Sequence, residues 1–239
     1  MKQHLSVLGL LIRCSLWRIL LILLLMVVIQ GGLFAFALHR AIAANQPGLE
    51  LIISGSQIAL VFGAAFLLIT AQLCTVGCSY STQTGYTISR LSLPQRDIFF
   101  CQAAVNTLFF LLFWAVEGIA VYGFALYFTR TVDPAAITGQ TVFLAFYRSK
   151  FLHGLLPLDQ ISIYIRNITA LVALGITTAI FPYRQRRKSF GTEIVVLLVF
   201  LLLLFPRQTN EIASDVFLIV LSLSLIATAL TTIFAKEDR

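Results

Sequence analysis

Three polar side chains, Gln102, Asn106 and Glu117, interrupt an otherwise apolar stretch of the chain. On an ideal helix they fall within about 60° of one another. A charged side chain at membrane depth costs about 2.5–3.5 kcal/mol on insertion scales, so it faces a bundle interior and takes a partner. Arg166, near the outer start of a later apolar run, is the candidate partner, with about 9 Å of axial offset at 1.5 Å per residue. The set has two readings. It lines a translocation route or a subunit seam, or it is a buried, hydrogen-bonded glutamate that fixes helix packing.

No reaction centre competes with this stripe. The chain has no G-x-x-x-x-G-K-[ST] phosphate loop and no H-E-x-x-H. Its histidines, His4, His39 and His153, are scattered, and no histidine is expected at the depth of Ser54-Gly55-Ser56-Gln57. Cys14, Cys74, Cys78 and Cys101 lie in or beside apolar runs without metal-site spacing. Cys74 and Cys78, one helical turn apart, read as packing residues. Asn167-Ile168-Thr169 matches a glycosylation acceptor only by pattern, because it falls inside an apolar run. The residues imply no catalytic role, no metal and no cofactor bound by this chain.

The elements that must position these residues are membrane helices. Hydrophobic residues make up 59% of the 239 residues and charged ones 11%, with a mean hydropathy of +0.93. Soluble domains carry about 25% charged residues. This much apolar surface needs lipid as its solvent. The net charge of +7 fits loops beside anionic headgroups rather than nucleic acid, since no basic run is interleaved with aromatics.

The expected fold is all-α, a single transmembrane domain over residues 1–239. Six candidate spans cover Trp17–Leu38, Leu51–Val76, Ile98–Phe128, Ile161–Phe181, Glu193–Phe205 and Ile212–Phe234. Leu5, Leu8, Ile12 and Leu16 recur at helical spacing before the first, which predicts a short helix lying in the membrane surface. The apolar run continues directly into a full span, unlike a cleaved signal sequence. Gln30-Gly31-Gly32 suggests a weakened or kinked first helix. Gly55, Ala59 and Gly63 share one face of the second span, a spacing that lets helix backbones approach closely.

With both termini on one side, eleven of the seventeen lysines and arginines fall on that side, including Arg184, Arg186, Arg187 and Lys188. The positive-inside rule makes that side cytoplasmic. The cytoplasmic loop, about Cys78–Asp97, turns from polar to amphipathic before the third span. The outer loop, roughly Thr129–Gln160, contains an apolar and basic run at Thr141–Leu158. That run is too short to span, and suits a position on the outer interface or over a cavity.

Six spans, an amphipathic lead-in and a long loop between spans 2 and 3 resemble type-2 ABC exporter permeases. Within that loop I-S-R-L-S-L-P-Q-R-D-I-F-F-C-Q, Ile88–Gln102, resembles the short cytoplasmic helix and basic, proline-containing turn that enter span 3 there. The resemblance implies a subunit of a bacterial cell-membrane exporter, working with a separate ATPase that binds ATP and Mg. It also implies a second permease copy, identical or related. Tyr86, Ile88, Arg90, Leu91, Leu93, Pro94 and Arg96 would then form the ATPase-coupling segment. Those permeases often place re-entrant helices between spans 5 and 6, whereas here that connection is only about Pro206–Glu211.

The physics of the loop suits docking. A helix over Tyr86–Leu93 that stops at a proline is a stiff lever, and Pro94-Gln95-Arg96-Asp97 would be the turn that aims it. Arg90 and Arg96 offer charge-assisted contacts to an acidic groove; otherwise they anchor the loop at lipid phosphates. Two rival functions remain open: an ion-coupled secondary carrier using Glu117, and a non-transporting membrane scaffold or enzyme subunit.

Overall fold

The computed structural model describes residues 2–44, 48–76, 78, 94–132, 140–157, 160–186, 191–204 and 212–234. These residues form helices and no strands: α1 (Lys2–Ala43), α2 (Leu49–Gly55), α3 (Ile58–Thr75), α4 (Gln95–Thr131), α5 (Thr141–Arg148), α6 (Lys150–Leu155), α7 (Ile161–Arg186), α8 (Thr192–Leu204) and α9 (Ile212–Phe234). Five of them, α1, α3, α4, α7 and α9, are long and apolar enough to cross a membrane. Their outward side chains are apolar, with Trp17, Leu24, Ile119 and Ile161 all exposed. That is the exterior of a multi-pass membrane protein, whose solvent on these faces is lipid.

The expected elements reappear with three differences. The surface lead-in and the first span are one unbroken helix of 42 residues, α1. Its length is about 63 Å, twice the ~30 Å hydrocarbon core. Gln30-Gly31-Gly32 interrupts nothing in it, since Gly31 leaves room for the ring of Phe124. The second apolar run is broken instead. Gln57 adopts a left-handed backbone at φ 56° and separates α2 from α3. Gly55 and Gly63 therefore sit on different helices, and the expected single face of small residues does not exist.

The expected turn at Pro94–Asp97 is already helix. Pro94 caps α4, its carbonyl oxygen accepting from the amides of Asp97 at 3.1 Å and Ile98 at 3.4 Å. Asp97 in the first turn complements the helix dipole. The fifth apolar run gives a helix of only 13 residues, α8, about 20 Å long.

Contacts between side chains fix the direction of each helix. Gln30 meets Glu117 and Phe34 stacks on Phe124, so α1 and α4 run parallel. Phe62 and Phe66 pack on Phe113, and Phe66 also on Phe110, so α3 runs antiparallel to α4. The N-terminal ends of α7 and α9 are joined by Arg166 and Asp215, and their last turns by Arg184 and Thr232. These two helices are therefore parallel to each other. Phe99 and Trp114 of α4 meet Tyr183 and Tyr164 of α7, which makes both antiparallel to α4.

The core is aromatic and centred on α4. Phe62 and Phe113 have ring centroids 4.8 Å apart, and Phe151 of α6 closes on Phe62 at 5.7 Å. Such pairs contribute about 0.5–1.5 kcal/mol beyond the area they bury. That matters here, because lipid supplies no hydrophobic force between helices. At Gly175 of α7 an added Cβ would lie 2.8 Å from the backbone nitrogen of Thr107 and 2.9 Å from its Cα. Only glycine permits this close approach of α7 to α4.

Candidate functional site

The four polar residues of the expected stripe are all buried, and each has a different neighbour. Gln102 Nε2 donates to the carbonyl oxygen of Val76 at 3.0 Å, tying α4 to the end of α3. Asn106 Nδ2 donates at 3.0 Å to Thr178 Oγ1, which itself donates to the carbonyl oxygen of Leu174. Glu117 Oε1 accepts from Gln30 Nε2 at 3.0 Å. Glu117 and Gln30 are both 0% exposed. The stripe thus sews α4 to three neighbours rather than lining one open channel.

Arg166 does not meet Glu117. It forms an ion pair with Asp215, Nη1 to Oδ1, at 2.7 Å. Its Nε and Nη2 donate to Asn167 Oδ1 at 3.2 and 3.1 Å, and Ser162 Oγ donates to the second oxygen of Asp215 at 3.2 Å. Both charges are enclosed, yet each has the extra hydrogen bonds that a buried pair requires. Asp215 was legible as a carboxylate near the start of the last apolar run, as Arg166 is near the start of its own. Gln30, read only as part of a weak helix, is the second residue that the sequence did not assign.

The Arg166 network continues into the α5–α6 pair. Asn167 Nδ2 donates to the carbonyl oxygen of Gly154 at 3.0 Å, and Trp114 Nε1 donates to that of Leu155 at 3.1 Å. Trp114 lies nineteen residues after Gln95 and seventeen before Thr131, near the middle of α4. The α5–α6 pair therefore reaches the middle of α4, with Leu152 and Leu155 fully buried. The last carbonyls of a helix have no partner within it, and inside a membrane protein they need one; the two side-chain donors supply it at the end of α6. The two halves of the 141–158 run differ: α6 is buried, because Phe151 and both leucines find a core to enter, while α5 keeps Phe143, Leu144 and Tyr147 exposed. Asn167, the asparagine of the glycosylation pattern, is enclosed in the same network.

Of the coupling segment, Tyr86, Ile88, Arg90, Leu91 and Leu93 lie outside the described residues. Pro94 caps α4, and the guanidinium of Arg96 lies 4.3 Å from the ring centre of Phe234 at the end of α9. Tyr183 Oη donates to the carbonyl oxygen of Gln95 at 3.4 Å, and its ring meets Phe99 edge-on. Arg184 pairs with Glu193 of α8. One end of the bundle therefore joins the first turn of α4 to α7, α8 and α9.

Of the two glycines, Gly63 faces a neighbouring helix, with Leu202 Cδ2 of α8 at 3.3 Å from a built Cβ, while Ala59 packs against the main core. Gly55 meets nothing within 4 Å. Among the described residues no three His, Cys, Asp or Glu side chains come together to hold a metal ion. Comparison with known protein families, curated proteins and solved structures finds no match for the chain.

Proposed function

We propose that the chain is the membrane-spanning permease subunit of an ABC exporter. A separate ATPase hydrolyses ATP, and this chain, paired with an identical or related copy, carries the substrate across. The observation that carries this reading is the joined end of the bundle. Arg96 against Phe234, Tyr183 on Gln95, and Arg184 on Glu193 tie the entry of α4 to three other helices. A push on the preceding loop would enter the whole bundle rather than one helix.

The parallel course of α7 and α9 supports six crossings. The chain between them has to return the length of the bundle, and α8 starts beside Arg184 and reaches Gly63. Six crossings place both termini on one side, and the lysine and arginine distribution makes that side cytoplasmic.

A specific observation favours a second reading, an ion-coupled carrier. Glu117 is buried without a cationic partner, as a coupling acid would be. Purification of the tagged chain from its native membrane separates the two. Vanadate-sensitive ATP hydrolysis in the purified complex supports the exporter. A preparation without hydrolysis that takes up solute into vesicles under a pH or Na⁺ gradient overturns it.

A further inference from the structure

The carboxyl group of Glu117 lacks the positive charge that a buried carboxyl group normally finds. Arg166 is taken by Asp215. Gln30 gives one hydrogen bond, Nε2 to Glu117 Oε1 at 3.0 Å, and the same nitrogen lies 3.5 Å from the carbonyl oxygen of Ile58. Those contacts use both protons of the amide nitrogen. Two acceptors are left over. Gln30 Oε1 and Glu117 Oε2 are buried and have no hydrogen-bond partner. Each such atom costs about 1–3 kcal/mol. A pair selected only for packing has no reason to leave two unsatisfied oxygens on side chains already joined to each other.

The surroundings point the same way. Ile58 is the first residue of α3, directly after the break at Gln57, where a non-glycine residue holds φ 56°. Left-handed backbone at such a residue costs about 1–3 kcal/mol and clusters at functional positions. In membrane proteins, interrupted helices turn backbone carbonyls toward bound cations. The next charged or titratable groups along the chain on the packed elements are Arg18 and His39 on α1, Glu50 on α2, Cys74 on α3, Tyr122 on α4, Lys150 and His153 on α6, and Tyr164 and Arg166 on α7. None supplies a hydrogen bond to Glu117.

We propose that Gln30 Oε1 and Glu117 Oε2, beside the α2–α3 break, bind one monovalent cation, either a proton or Na⁺. A proton is satisfied by the two oxygens alone. Na⁺ would require further oxygens, and the carbonyl of Ile58, 3.5 Å from Gln30 Nε2 at the start of α3, is the backbone candidate. The site does not depend on coupling to an ATPase.

Thermal unfolding of the purified full-length protein tests it. Wild type and Glu117→Gln are compared in NaCl, KCl and choline chloride at one ionic strength, and from pH 6 to pH 9. With Na⁺ as occupant, the wild-type midpoint rises by about 5 °C in NaCl over choline chloride at saturation. With a proton as occupant, salt identity has no effect, and the wild-type midpoint falls relative to the variant as pH rises. In either case the dependence is absent from Glu117→Gln, which also cancels contributions from the other titratable groups. If that variant cannot be purified, Gln30→Met removes one of the two oxygens and weakens the same dependence. Identical responses of wild type and variant to both salt and pH overturn the proposal and leave the two oxygens to water.

Discussion

Arg166 and Asp215 meet at 2.7 Å, with 4% and 3% of their side chains exposed, and the bond joins the N-terminal ends of two parallel helices. Removing one member strands the other charge inside the bundle, which costs about 3–5 kcal/mol in buried pairs. Asp215→Ala and Arg166→Ala should each sharply reduce yield and thermal midpoint. Arg166→Met combined with Asp215→Leu should recover much of the loss. A double variant as unstable as the sum of the singles would show that the pair is not the unit of stability.

The two glycines at helix contacts should respond differently to alanine. Gly175 faces the backbone of Thr107, which cannot move without shifting α4. Overpacking of this kind costs about 1–3 kcal/mol, and shortening Thr107 to alanine should rescue little of it. Gly63 faces the flexible end of Leu202, so Gly63→Ala should be nearly silent. Thermal midpoints of the three variants in detergent check both statements.

Reporter fusions test the orientation. A fusion after Arg239 should read as cytoplasmic, and one near Asp133 as external. The reverse pattern would place the α4 entry, and any partner it serves, on the outside.

The coupling proposal separates into association and transmission. Replacing Arg90 and Leu91 together with glutamates should reduce co-purification of the ATPase several-fold while membrane insertion is unchanged. Phe234→Ala should leave co-purification intact and lower the export obtained per ATP hydrolysed, because it removes the ring under Arg96. Equal ATPase recovery with wild type and the Arg90/Leu91 variant would reduce those arginines to topology anchors.

Much of the helix inventory was legible because apolar runs are read by length alone. The last helix, Ile212–Phe234, has the bounds that its sequence suggests. Residues 141–158 were not legible in the same way. Hydropathy reports how apolar a segment is, and not whether Trp114 and Asn167 stand ready to satisfy its carbonyls. Glu117 was recognised as buried from its neighbours in sequence. Its partner was not, because Gln30 is 87 residues away and neutral, whereas the reading sought an opposite charge. The break at Gln57 carried no proline to announce it.

The buried end of α6 has a consequence for how the protein is made. Its two carbonyl contacts come from opposite directions along the chain, Trp114 before it and Asn167 after it. During synthesis, residues 141–156 emerge when only the first donor exists. The segment therefore cannot be sealed at depth until α7 has entered the bilayer. Arg166, arriving with that helix, then waits 49 residues for Asp215. The middle of the polypeptide is finished by its last helix, so a ribosome that stops before residue 215 leaves an unclosed bundle rather than a smaller protein.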